Sequence, residues 1–301
     1  MSPALRVGGR SIEISKPDKL LFPAEGITTG DLIAYYRRIA ERLLPYLRGR
    51  PLVLRRYPEG IEGEGFFQKE APEWFPDWIP RVTVAKEDGV VHHLVCEEEA
   101  TLVFLAAESC IELHPWLATI DDLAHPDRMV FDLDPSEDSS LEDLRGTARD
   151  LRGHLLDLGL TPFLMTSGSR GYHVVIPLVR REAFDEVRAL AHEVARLVAA
   201  QDPTRRTVEL AKAKRGGRVF IDYLRNAYAQ TAIAPLSVRA RPGAPVAMPI
   251  GWDQLTRVAP RSYDLGNAPR HVAGTRNPWA GMADTAASLE DAQRILDGLP
   301  Q

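Results

Sequence analysis

The chain has 301 residues, enough for one large domain or two lobes that each bury a core. Its 45% hydrophobic and 26% charged residues are those of a globular protein, and no apolar run approaches the length of a membrane span. A net charge of −5 argues against a uniformly basic nucleic-acid surface, and two cysteines, Cys96 and Cys110, exclude a disulfide framework or a cysteine-built zinc site. The first residues, Met1 to Arg6, lack the apolar stretch of a signal peptide, so a cytoplasmic location without a membrane partner is expected.

Taken in order, residues 11–14 alternate as a strand does, and a turn-rich segment with Lys16 and Lys19 follows. Thr28 and Thr29 are placed to cap a helix from about Asp31 to Leu44, with Leu32, Tyr35, Tyr36, Ile39 and Leu43 on its apolar face. Residues 52–57 and 65–69 read as strands. Asp88-Gly89 between two β-rich runs, 81–85 and 90–95, predicts a hairpin. Residues 98–108 read as a helix, and 111–116, carrying His114, as a strand. Helices are expected over 141–158, closed by Gly159, and over 182–200. Between them, strands 163–166 and 172–177 flank the turn Ser167 to Gly171. Residues 218–223 and 231–239 complete the expected strands, and Ser288 with Asp291 resembles a capping box for a last helix. The mixture predicts an α/β or α+β protein with largely antiparallel sheets.

The chemistry concentrates in Met129 to Pro135, an apolar strand that ends in Asp132 and Asp134. Residues two apart on a strand share a face, so the two carboxylates stand side by side and repel unless a cation lies between them. A divalent ion held by oxygen ligands is one solution; a pair of surface aspartates at a turn is the plain alternative. Asp222 leaves a second apolar strand in the same way, its alternative being a salt bridge to Arg218 or Arg225. Three carboxylates from two strands suit two divalent ions and in-line phosphoryl transfer. The Ser167–Gly171 turn offers donors to an anion through Ser167, its glycines and Arg170; His173 follows, either as a further donor or as a packed strand histidine. Phe66 and Phe67 either expose a ring for base stacking or form a buried pair. From Arg205 to Arg241 nine basic residues stand against Glu209 and Asp222, a local footprint for an anion on an acidic chain.

Together Phe131-Asp132-Leu133-Asp134-Pro135, Thr166 to His173 and Val219 to Asn226 resemble the three signature motifs of archaeo-eukaryotic primase-type polymerases. Within that superfamily the chain is most similar to the polymerase domain of bacterial ligase D. Pro17 to Pro23, Gly65 to Lys69, Glu112 to Trp116 and Ile233 to Arg239 extend the resemblance to nearly the whole chain. It implies one catalytic domain over 1–301, with an N-terminal lobe over 1–125 and a catalytic lobe over 126–301 whose C-terminal segment is irregular. The implied fold has an RRM-like palm and a central cleft. The implied activity is template-dependent nucleotide addition to primers or gapped DNA in repair such as end joining, using NTPs or dNTPs with a preference for ribonucleotides, and two Mn2+ or Mg2+ ions.

By the same resemblance Asp132, Asp134 and Asp222 bind the metals. Ser167, Arg170, His173 and Arg239 contact the nucleotide phosphates with Lys212 or Arg215 nearby, Arg55 lies near the sugar, and His114 lies at the site's edge. Phe66 or Phe67 stacks on a base. Lys19, with Lys16 near it, meets the 5′-phosphate of a gap, but Thr29 stands where two-lysine relatives carry the second lysine. No ligase or nuclease sequence follows, so a separate DNA ligase and Ku are the expected partners, and the protein would work at the nucleoid. Two rival readings use the same residues: a haloacid-dehalogenase-like phosphohydrolase with Asp132 as nucleophile, which Pro135-Ser136 fits poorly, and a non-catalytic nucleic-acid-binding module.

Overall fold

The computed structural model describes residues 4–86 and 88–298. The chain divides into two compact units, each assembled from separated stretches. The first comprises Met1–Trp116, Ile233–Met248 and Tyr263–Arg276; the second comprises Leu117–Ala232, Pro249–Ser262 and Asn277–Gln301. The boundary expected at 125/126 thus falls at 116/117, and two segments of the irregular C-terminal part belong with the N-terminal stretch.

The first unit is built on an antiparallel sheet in which Pro51–Arg56 pairs with Phe66–Gln68, with Gly89–Val95 and with Cys110–Pro115. Arg81–Lys86 and Gly89–Val95 form the hairpin that Asp88-Gly89 predicts. The helix Thr29–Leu43 starts at a capping box, where Thr28 Oγ1 accepts the Asp31 N–H at 3.2 Å and the Asp31 carboxylate accepts the Thr28 N–H at 2.8 Å. Its face of Leu32, Tyr35, Tyr36, Ile39 and Leu43 is buried, as the helical spacing required. The two tyrosines also bond outward: Tyr35 Oη donates to the Leu236 carbonyl and Tyr36 Oη to the Ile111 carbonyl, each at 2.8 Å. The Tyr35 bond ties down the segment read from sequence as a strand over 231–239. It forms no strand; Pro235 has no N–H to give a ladder, and Leu236 sits in the left-handed region at φ 65°.

The second unit holds a six-stranded sheet in the order Arg206–Thr207, Val219–Asp222, Arg128–Asp134, Tyr172–Pro177, Phe163–Thr166, Pro249–Ile250. Every neighbouring pair is antiparallel except the first, which is parallel. The helices Leu141–Asp157 and Phe184–Gln201 bury Leu144, Leu151 and Leu155 and Val187, Leu190 and Val194 respectively. Gly159 closes the first of them at φ 75°. In the last helix, Leu289–Asp297, Ser288 Oγ accepts the Glu290 N–H at 3.1 Å. The carboxylate that completes this cap is Glu182, which accepts from Ser288 Oγ and the Leu289 N–H; Asp291 instead pairs with Arg294.

Strand Arg128–Asp134 is central, and its apolar residues Met129, Phe131 and Leu133 are fully buried. Where Val219–Asp222 has already ended, Asn226 takes over as its neighbour. The Asn226 amide accepts the Val130 N–H at 2.7 Å and donates to the Val130 carbonyl at 2.8 Å, a side-chain rung in place of a backbone one. Its third bond, to the Tyr223 carbonyl at 2.8 Å, fixes the turn after Asp222.

Candidate active site

In the second unit the register aligns the acids that the spacing singled out. Asp132 lies directly opposite Asp222 on one side and opposite His173 on the other. Directly opposed residues share a face with their Cβ atoms about 5 Å apart. Asp222, Asp132 and His173 therefore form one row across the sheet, and Asp134 stands two residues along on the same face. Leu133, between the aspartates, points into the core.

Carboxylates this close need compensation, and the structure supplies it. The Arg225 guanidinium lies 3.7 Å from Asp132 and 3.5 Å from Asp222. Arg170 and Arg215 approach Asp134 at 3.6 and 3.7 Å. His173 Nε2 is 3.3 Å from Asp132 Oδ1, and its buried Nδ1 has no hydrogen-bond partner among the described residues. Burial raises the Asp134 pKa, the Asp132 charge adds to this, and Arg170 and Arg215 oppose it. The Asp222 pKa is also raised, by burial first, with Arg225 opposing and Asp132 adding. Both acids thus hold their protons more tightly than ordinary carboxylates do, burial outweighing the arginines beside them. Among the described residues no three acidic or imidazole side chains are gathered closely enough to grip one ion as they stand. The donor set itself, three carboxylates on one face, suits hard divalent ions.

The turn beside the aspartates is organised by Ser167, whose hydroxyl oxygen accepts the N–H groups of Ser169 at 3.2 Å and Gly171 at 3.1 Å. Its hydroxyl hydrogen remains to be donated. Gly171 is required sterically, since a Cβ there would stand 1.8 Å from the Leu133 carbonyl oxygen. The absence of a side chain lets this turn lie against the aspartate strand. Arg215 proves to be a clamp: it donates to the Glu209 and Leu210 carbonyls, lies 3.7 Å over the Phe220 ring and is largely buried. Lys212 is exposed. The basic run is not one free surface, since Arg205 and Arg206 pair with Asp143 and Asp150 and Arg218 donates to three carbonyls. Of the two arginines offered as partners for Asp222, Arg225 takes the role.

The first unit carries the remaining candidates, of which Arg55, His114, Arg239 and Phe67 form one cluster. Arg55 and Glu112 are directly opposed, and Glu112, His114 and Arg239 converge around the Glu112 carboxylate. The Arg55 guanidinium lies between the rings of Tyr57 and Phe67, 5.3 and 5.1 Å from their centroids, and Phe67 meets His114 edge-on. Phe66 and Phe67 are 44% and 57% exposed, so the buried-pair reading falls. Lys19 lies 3.6 Å from Glu59, and Lys16 is exposed. Thr29 is buried and donates to the Lys19 carbonyl at 3.4 Å, which leaves it no surface to offer a phosphate. Sequence reasoning missed Arg225 as a bridge between two acids, although its position three after Asp222 was a usable signal, and it missed Glu112.

This fold, with three acids on one face of an antiparallel sheet, defines a nucleotidyltransferase of the primase-polymerase class. The model of the LigD primase-polymerase domain matches residues 28–279, and the chain belongs to that family. The LigD non-homologous end joining protein of Mycolicibacterium smegmatis is 33% identical over 96% of this chain, that of Pseudomonas aeruginosa 36% over 97%, and that of Bacillus subtilis 32% over 81%. The chain spans only 35–40% of the length of these relatives. The solved polymerase domain of Mycobacterium tuberculosis ligase D in complex with DNA superposes with a TM-score of 0.85 at 30% identity, covering 91% of this chain and 99% of that one. The family is metal-dependent. The phosphohydrolase and non-catalytic readings do not survive this assignment. Among the described residues no helix is long and apolar enough to cross a membrane.

Proposed function

We propose that the chain adds nucleotides to primer termini and fills gaps in DNA during end joining, on a DNA template, with a preference for ribonucleotides. The observation that carries this reading is the row Asp222–Asp132, with Asp134 beside it, on one face of the central strands. Asp132, Asp134 and Asp222 would hold two divalent ions, Mn2+ or Mg2+, for which Arg225 would have to give way. Such ions stabilise the charge that develops on the attacking and leaving oxygens in phosphoryl transfer. The chain's own residues do the rest. His173, beside Asp132, orients that carboxylate; Arg170 and the Ser167 hydroxyl donate to phosphate oxygens; Arg55, His114 and Arg239 form the cationic surface for the nucleotide, with Lys212 adding charge and Arg215 holding Asp134 in place. Phe66 and Phe67 offer exposed rings for a base, and Lys19 with Lys16 meets the 5′-phosphate of a gap. A DNA ligase and Ku would act alongside at the nucleoid, as the end-joining name of the relatives suggests.

The test is primer extension on a gapped template with each divalent ion in turn, in wild type and Asp132→Asn. Metal-dependent extension that Asp132→Asn abolishes supports the reading. Extension without divalent ions, or by the variant at wild-type rate, overturns it. Competition between ribo- and deoxyribonucleotides in the same assay decides the sugar preference, and equal use refutes it.

A further inference from the structure

We infer that Glu112 is a positioning residue that sets the array of nucleotide-facing cations, Arg55, His114 and Arg239; the inference rests on the nucleotide reading proposed above.

Glu112 sits in the strand Cys110–Pro115 with no solvent exposure. Ile111 and Leu113 on the opposite face are ordinary core residues, so the fold does not need an acid in this strand. A buried carboxylate costs several kcal/mol unless it is well paired. Here it is paired several times over. It accepts from His114 Nε2 and from the Ala240 N–H, each at 2.9 Å, and lies 3.7 Å from Arg55 and 3.5 Å from Arg239. Burial would raise its pKa, but the His114 bond, the Arg239 charge and the Ala240 N–H bring it down to about 2. The group is therefore a permanent anion at any physiological pH.

The charge count gives its purpose. One carboxylate faces two guanidiniums and an imidazole, so it matches only part of the positive charge around it. Without the carboxylate the two guanidiniums would repel and move apart; with it they are held about one acid apart at fixed angles. The unmatched part is not sealed in: Arg55 remains 30% exposed against the open ring of Phe67. A buried pair meant only for stability would balance its charges and would be replaceable by apolar side chains. This one sets a single acid against two guanidiniums. The Ala240 N–H bond adds a second level of control, because it ties the backbone next to Arg239 to the same carboxylate.

The experiment is a double-mutant cycle of Glu112→Gln and Arg239→Ala, with KM for nucleotide, kcat, affinity for primer–template and Tm measured on each protein. Glu112→Gln keeps the size and an acceptor oxygen but removes the charge. The expected result is a nucleotide KM raised about tenfold, with kcat changed by less than about threefold and DNA affinity unchanged. In the Arg239→Ala background Glu112→Gln should add little, because the residue it positions is gone. Glu112→Asp, with the charge drawn back by one methylene, should give a smaller KM increase, and it takes the place of Glu112→Gln should that variant not fold. If Arg239→Ala raises KM while Glu112→Gln leaves it alone, or if the two effects simply add, Glu112 is structural and the inference fails. If Arg239→Ala itself leaves nucleotide KM unchanged, the nucleotide reading of this cluster fails first and takes the inference with it.

Discussion

Asn226→Ala should destabilise the second unit strongly, although Asn226 touches none of the three aspartates. The Asn226 side chain is fully buried and makes three hydrogen bonds, two to Val130 and one to the Tyr223 carbonyl. Alanine leaves the N–H and carbonyl of Val130 facing an apolar interior with no water to replace the amide. Each buried polar group left without a partner costs about 1–3 kcal/mol, so the loss should be about 3–5 kcal/mol. That is a large fraction of the roughly 5–15 kcal/mol that keeps a domain folded. For a unit of this size about 1 kcal/mol moves Tm by roughly 2–4 °C, so a fall of about 10 °C is expected. Differential scanning calorimetry of wild type, Asn226→Ala and Asn226→Asp measures it. The aspartate should do no better, since it sets a second oxygen against the carbonyls of Val130 and Tyr223. A fall below about 2 °C for alanine would refute the idea that this amide substitutes for the missing strand rung.

Asp132→Asn or Asp222→Asn should abolish primer extension while leaving Tm unchanged or slightly higher, because removing one charge relieves repulsion in the row. Asp134 and Asp222 have raised pKa values in the folded state, so their contribution is present below the ordinary carboxylate range and is lost as pH rises through the folded values. Millimolar Mn2+ or Mg2+ should therefore raise Tm at pH 7 and do so much less in Asp132→Asn; equal shifts in both proteins would count against ion binding here. Glu112 has the opposite sign: its pKa is lowered to about 2, so it supports the fold above the usual carboxylate range and ceases to do so as pH falls towards 2. The shift corresponds to about 3 kcal/mol, and acid titration of Glu112→Gln should show a correspondingly weaker dependence on pH below about 4 than wild type. Thr29→Lys should lower Tm by several degrees, because Thr29 is buried, and should not strengthen binding to a 5′-phosphorylated gap; tighter binding with unchanged Tm would show that the position does reach the surface.

What the sequence revealed and what it hid divide along the range of the interactions. Asp132 and Asp134 were legible because a period of two is a local property, and Phe131 and Leu133 mark the buried face between them. Asp88-Gly89 and a cap at Thr28 were legible for the same reason, whereas the part of Asp31 in that cap was not. The pairing of Asp132 with Asp222 was not, since it depends on the register between strands joined by a long stretch of chain. Asn226 looked like any turn residue, and only the early end of Val219–Asp222 makes it a rung. Residues 231–239 misled because apolar alternation ignores the neighbours: with Pro235 and a left-handed Leu236 the backbone satisfies its groups at Leu113, Pro245 and Ala247 instead of in a ladder. Arg215 misled differently, since a basic residue in a basic run reads as surface until the Phe220 ring beneath it is seen.

The two units arrive at opposite electrostatic designs. In the second, three acids share one face of the sheet and arginines from the flanking turns restrain them. In the first, two arginines and a histidine gather around a buried acid that restrains them. Neither design is the cheapest way to stabilise a sheet, because both keep like charges close together. Arg225 and Glu112 then have corresponding roles. Each is an opposite charge that bridges two members of its own cluster. Under the proposed function they differ in what binding asks of them: Arg225, standing between Asp132 and Asp222, would have to yield to incoming ions, whereas Glu112, buried behind its arginines, would have only to stay.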